Sequence, residues 1–219
     1  MAQGKLTSGQ VDVLCALAGT VPRWRLCGGG ALAGFYTRHR ATRDLDLLWE
    51  APDLTLVVDA VERHLAAAGF SLDVLQRAPA FRRYRVERGD EVLVLDLIAE
   101  PLAVVTAPIE QAIGNRQLLV DAPHEILVAK LTALLGRSEL RDLEDVAALL
   151  EAGGDLARAL ADAPRKDAGF SPPTLAWVLD QFPVEALGRA LGRPSEDVER
   201  LARFREKLVH DVLAASKPG

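Results

Sequence analysis

The 219-residue sequence has only two cysteines, Cys15 and Cys27, too few for a disulfide framework of the kind that staples small secreted domains. Both lie in apolar segments and read as buried core thiols of a reducing compartment. No apolar run approaches the ~18–20 residues of a membrane span. The N-terminus shows no basic-then-apolar leader. A cytoplasmic location without membrane contact is therefore expected. Basic residues are not in excess: 26 Lys and Arg against 31 Asp and Glu leave a net charge of −5. That excludes a generally basic nucleic-acid coat protein but allows a local basic patch. His39, His64, His124 and His210 show no zinc-ligand spacing. Internal repeats and low-complexity tracts are also missing.

What is present describes a globular chain able to bury a sizeable core, with 49% apolar and 26% charged residues. Up to residue 99 the pattern alternates strand, helix, strand, helix, then a hairpin over Phe81 to Arg88 and Glu91 to Ala99 turned at Gly89-Asp90. After Pro123 helical periodicity dominates. The expected fold is α/β (α+β), a small mixed sheet with flanking helices plus a mostly helical C-terminal part. The expected division is 1–106 and 107–219, with residues 107–122 as the joint. Trp24, Trp49 and Trp177 read as core or domain-interface residues.

The richest stretch is Leu26 to Trp49, LCGGGALAGFYTRHRATRDLDLLW. Gly28-Gly29-Gly30-Ala31-Leu32-Ala33 formally fits a dinucleotide-binding turn. That fingerprint predicts further parallel βαβ units, whereas this sheet continues into a hairpin. The other mechanism is phosphoryl transfer. Backbone without Cβ atoms can approach a triphosphate closely, and N–H groups at a helix start face the anion. On a strand, Asp44 and Asp46 share one face with Cα atoms about 6.6 Å apart, while Leu45 and Leu47 point into the core. Two neighbouring carboxylates repel unless a cation sits between them, and Mg²⁺ held by carboxylates plus substrate phosphates suits that pair. In Val92-Leu93-Val94-Leu95-Asp96-Leu97-Ile98 a lone acid interrupts an aliphatic run. Burying it requires a partner, either a metal shared with Asp44 and Asp46 or an arginine.

These motifs resemble the DNA polymerase-β-like nucleotidyltransferase superfamily, and within it the AbiEii/AbiGii abortive-infection branch that includes MenT-like toxins of type IV toxin–antitoxin pairs. The resemblance rests on the glycine pair, the short helix, Arg40-Ala41-Thr42-Arg43-Asp44-Leu45-Asp46 and the later strand Asp96. It rests also on Lys130-Leu131-Thr132-Ala133-Leu134-Leu135-Gly136-Arg137 followed by Arg141-Asp142-Leu143-Glu144-Asp145. It implies an NTP-dependent enzyme releasing pyrophosphate, with Mg²⁺ (or Mn²⁺) on Asp44, Asp46 and Asp96. Gly28, Gly29, Arg43 and Lys130 would bind nucleotide, and Asp142 would line the site or orient Lys130. It further implies an RNA acceptor such as the tRNA 3′ end, an antitoxin protein partner and a role in toxin–antitoxin or phage-defence biology. One departure stands out: no hydroxyl follows the glycines, since Gly30-Ala31 occupies the place of the family's Ser or Thr. Two other functions fit the same residues: a small-molecule nucleotidyltransferase of the aminoglycoside-modifying kind, and a catalytically silent binding protein.

Overall fold

The computed structural model describes residues 4–101 and 104–215. The chain divides into two compact units, Met1–Ala122 and Pro123–Gly219. The first carries α1 (Ser8–Leu17), β1 (Arg25–Cys27), α2 (Gly28–Phe35), β2 (Asp44–Trp49), α3 (Val58–Ala67), β3 (Ser71–Ala78), β4 (Phe81–Arg88), β5 (Glu91–Ala99), β6 (Ile109–Ile113) and β7 (Arg116–Val120). Among the described residues the strands form one mixed sheet in the order β3-β4-β5-β2-β1-β7-β6. β2 runs parallel to β5 and antiparallel to β1, and β1 runs parallel to β7.

Strand alternation sets the two faces. Leu45, Leu47, Leu95 and Leu97 are fully buried on one, and Asp44, Asp46 and Asp96 take the alternate positions. Trp24 and Trp49 pack at the end of β1 and β2 with ring centroids 6.5 Å apart. Helix α1 opens with a capping box between Thr7 and Gln10, and the buried Gln10 side chain donates from Nε2 to the Thr42 carbonyl at 3.0 Å.

The sheet is larger than the sequence pattern indicates. Residues 109–120, expected as the joint between two halves, form the β6–β7 hairpin, and the units divide at Ala122/Pro123. Gly114, at φ +55°, makes the hairpin turn. Strand β3 was also not expected. It is an edge strand, mostly exposed, with a bulge between Val74 and Gln76 that leaves Val74 43% and Leu75 55% exposed. Neither cysteine is fully buried and neither forms a disulfide: both are half-buried, with Cys15 Sγ against the Ile113 carbonyl and Cys27 Sγ against the Asp46 carbonyl.

The second unit is helical: α4 (Pro123–Gly136), α5 (Leu140–Glu151), α6 (Leu156–Asp162), α7 (Pro172–Asp180), α8 (Val184–Ala190) and α9 (Ser195–Ala215). The Asp155 and Ser171 side chains cap α6 and α7. Trp177, expected inside, stands 67% exposed on α7.

Candidate active site

The glycine turn meets the acidic strand directly. β1 passes into α2 at Gly28, whose φ of +59° is left-handed. A Cβ there would lie 2.6 Å from Asp46 Oδ2. At Gly29 a Cβ would lie 3.1 Å from both Thr42 Oγ1 and Arg40 Nη2. The two glycines thus let backbone lie against β2 where a side chain would displace it. Cys27 gives α2 no side-chain cap, so the first-turn N–H groups are presented beside the acids.

Register brings the acids together. Asp46 pairs with Cys27 of β1 on one side and with Asp96 of β5 on the other. Neighbouring strands lie about 4.8 Å apart, and Asp44 follows on the same face. The buried Thr42 hydroxyl makes a short hydrogen bond to Asp44 Oδ1, fixing that carboxylate. Asp96 is 4% exposed. Its Oδ1 accepts from Arg83 Nε at 2.8 Å and its Oδ2 from Arg83 Nη2 at 2.6 Å. Arg83 is the residue opposite Asp96 on β4. Its guanidinium is held above its ordinary range by the Asp96 hydrogen bonds, which outweigh burial, with the charges of Asp96, Asp44 and Asp46 adding to the effect. All three acids therefore act on one guanidinium.

The donor set is hard carboxylate oxygen, which fits Mg²⁺ or Mn²⁺ at Asp44 and Asp46. In this arrangement both oxygens of Asp96, the expected third ligand, are engaged by Arg83. Among the described residues no group of three or more His, Cys, Asp or Glu is arranged to hold a metal ion. Arg43 is exposed at the start of β2, and Arg38, at φ +50°, is exposed in the loop before it.

In the second unit Lys130, on α4, is 8% exposed. Its Nζ lies 2.7 Å from Asp142 Oδ1 and 2.8 Å from Asp145 Oδ2 on α5. Arg137 forks onto Asp142 through Nε at 2.7 Å and Nη2 at 3.1 Å. Burial works against charge at both Lys130 and Asp142, but the partners outweigh it. Asp145 and Asp142 raise the Lys130 ammonium above its ordinary range, and Arg137 and Lys130 hold the Asp142 carboxyl below its own. The Lys130–Asp142 pairing is thus present, and the fully buried Asp145 is a member of the same cluster.

Sequence reasoning gives Thr42 and Asp145 no site role and does not single out Arg83 as the arginine that pairs with Asp96. Hairpin arithmetic from the Gly89-Asp90 turn would have found Arg83, since pairing Arg88 with Glu91 places Arg83 opposite Asp96.

The family described as nucleotidyl transferase AbiEii toxin, type IV TA system, matches residues 12–213. Among solved structures, JHP933 from Helicobacter pylori aligns at 17% identity and a TM-score of 0.56, over 94% of this chain and 90% of that one. The antibiotic-resistance factor ANT(2″)-Ia aligns at 14% identity and 0.51, over 74% and 94%. Both likenesses are of fold. MenT4, a nucleotidyltransferase toxin from Mycobacterium tuberculosis, aligns at 19% identity and 0.48, over 96% and 91%. No curated protein sequence matches the chain.

Proposed function

Because the chain belongs to the AbiEii nucleotidyl transferase toxin family of type IV toxin–antitoxin systems, we propose that it moves a nucleoside monophosphate from an NTP to an RNA hydroxyl, with the tRNA 3′ end as the acceptor. The acceptor hydroxyl loses its proton to solvent as its oxygen forms the new bond to the α-phosphorus, the bond from that phosphorus to the bridging oxygen breaks, and pyrophosphate leaves. Asp44 and Asp46 would hold Mg²⁺, which when bound supplies positive charge to the α-phosphate and aligns it. The N–H groups of the Gly28-Gly29 turn would receive the phosphates. Thr42 would keep the Asp44 carboxylate aimed, and Asp96 would complete the acidic set.

One observation carries this reading: Asp46 stands in register between the glycine turn and Asp96, with its Oδ2 over Gly28. An RNA acceptor is supported by the arginines around it, Arg38, Arg40 and Arg43 in the α2–β2 segment and Arg83 and Arg85 on β4, which suit a polyanion better than a cationic antibiotic. A type IV pair implies an antitoxin partner, and the proposed location is the cytoplasm, where NTPs and tRNA are found. No helix among the described residues is long and apolar enough to cross a membrane.

The test is to incubate the protein with labelled NTPs, Mg²⁺ and total tRNA. Label enters RNA with the wild type and not with Asp46→Ala. Equal labelling by both proteins overturns the assignment.

A further inference from the structure

Asp96 is held by an internal cation. Both of its oxygens are taken by the Arg83 fork, at 2.8 and 2.6 Å. Charge-assisted bidentate pairs of this geometry are the strong ones. The two partners differ in freedom. The Asp96 side chain is 5% exposed, between fully buried Leu95 and Leu97, whereas the Arg83 side chain is 41% exposed. If the pair opens, the guanidinium is the partner that moves. The other arginines of β4 are directed elsewhere: Arg82 toward Glu62, Arg85 toward Glu87, and Arg88 toward Asp12. Arg83 alone among them engages the acidic row.

We propose that Arg83 is a positioning residue that competes with a divalent cation for Asp96, keeping the third carboxylate out of the metal site until the guanidinium turns away. This rests on the reading of Asp44 and Asp46 as metal ligands. Arg83 and a divalent ion are alternative counter-charges for one carboxylate. With Arg83 in place the acidic row offers two carboxylates to a metal; with Arg83 withdrawn it offers three. The arriving nucleotide, a polyanion, is the natural acceptor for the released guanidinium, so ligand binding and completion of the acidic set are coupled.

The experiment measures Mn²⁺ binding to the full chain without nucleotide, by calorimetry and by the paramagnetic resonance of free Mn²⁺. Arg83→Gln is expected to bind Mn²⁺ about tenfold more tightly than wild type, because a charge-assisted competitor has been removed. Arg83→Lys, which keeps the charge but not the fork, is expected to fall between the two. Combining Arg83→Gln with Asp96→Asn abolishes the increase. A merely structural role for Arg83 would not tighten metal binding. Wild-type affinity and stoichiometry in Arg83→Gln overturn the proposal, as does an increase that persists without Asp96. Should Arg83→Gln fail to fold by circular dichroism, Arg83→Lys decides, and affinity no tighter than wild type overturns it. If instead Asp46→Asn leaves wild-type Mn²⁺ binding unchanged, the metal assignment itself falls, and this inference with it.

Discussion

Asp46 Oδ2 occupies the space that a β-carbon on residue 28 would need, 2.6 Å from where that carbon would sit. The carboxylate and the glycine turn are therefore a single packed unit. Gly28→Ala meets two penalties: the left-handed φ of +59°, which costs about 1–2 kcal/mol in a non-glycine residue, and displacement of Asp46. Urea denaturation is expected to show a stability loss of that order. Nucleotidyl transfer is expected to fall about 100-fold, the scale of a ~1 Å misplacement. A normal rate in Gly28→Ala would mean that the turn and the acid are not coupled.

On the proposed function, Thr42 is expected to act on the reaction through Asp44. Its hydroxyl, on a buried residue of the segment before β2, bonds Asp44 Oδ1. Thr42→Val keeps shape and removes the hydroxyl, and the loss of such an outer partner costs about 10–100-fold in metal affinity or activity. Asp46→Asn, which alters a ligand itself, is expected to exceed ~100-fold on the same scale. Steady-state rates over a Mg²⁺ series check the order: Thr42→Val should recover with added metal, and Asp46→Asn should not.

The α4–α5 cluster, which holds the expected nucleotide-binding Lys130, gives an experiment read by stability alone. Lys130→Met leaves Asp142 and Asp145, 1% and 0% exposed, without their ammonium. Breaking a buried pair from one side costs about 3–5 kcal/mol. Adding Asp142→Asn and Asp145→Asn to Lys130→Met removes the uncompensated charge and is expected to restore part of the loss. A loss below ~1 kcal/mol for Lys130→Met alone would contradict the reading that Asp142 and Asp145 depend on Lys130 for their counter-charge.

The same cluster sets the pH limits of stability. Asp142 is held below its ordinary value, so its contribution is fully present above about pH 4, its unfolded value. That contribution is lost as pH falls through the folded value. Lys130 is held above its ordinary value, so its contribution is fully present below about pH 10.4 and is lost as pH rises through the folded value. Urea midpoints across pH are expected to be flat in between with respect to this cluster. The triple variant should lose less stability than wild type at both extremes.

Much of the site was legible because it is local. The glycine turn, the short helix and the Asp44–Asp46 alternation lie within one stretch of chain, where strand period alone puts both acids on one face. Lys130 and Asp142 likewise sit on consecutive helices. What escaped depends on pairing across strands. Nothing around Arg83 marks it from Arg82 or Arg85 until register with β5 is known. Strand β3 escaped because an exposed edge strand needs no apolar alternation, and its one-residue irregularity breaks the period-two pattern further. The β6–β7 hairpin carried a usable signal, Gly114-Asn115 between apolar runs, but it lies where the composition turns helical. Asp145 escaped because an acid three residues from another on a helix looks the same whether it faces water or a buried lysine.

The irregularity at Val74–Gln76 has a protective side. A second chain adding to an open sheet edge must match it residue for residue, and a bulge breaks that match while twisting the strand away. Although β3 leaves two aliphatic side chains in water, this edge is a poor template for strand addition by a second copy.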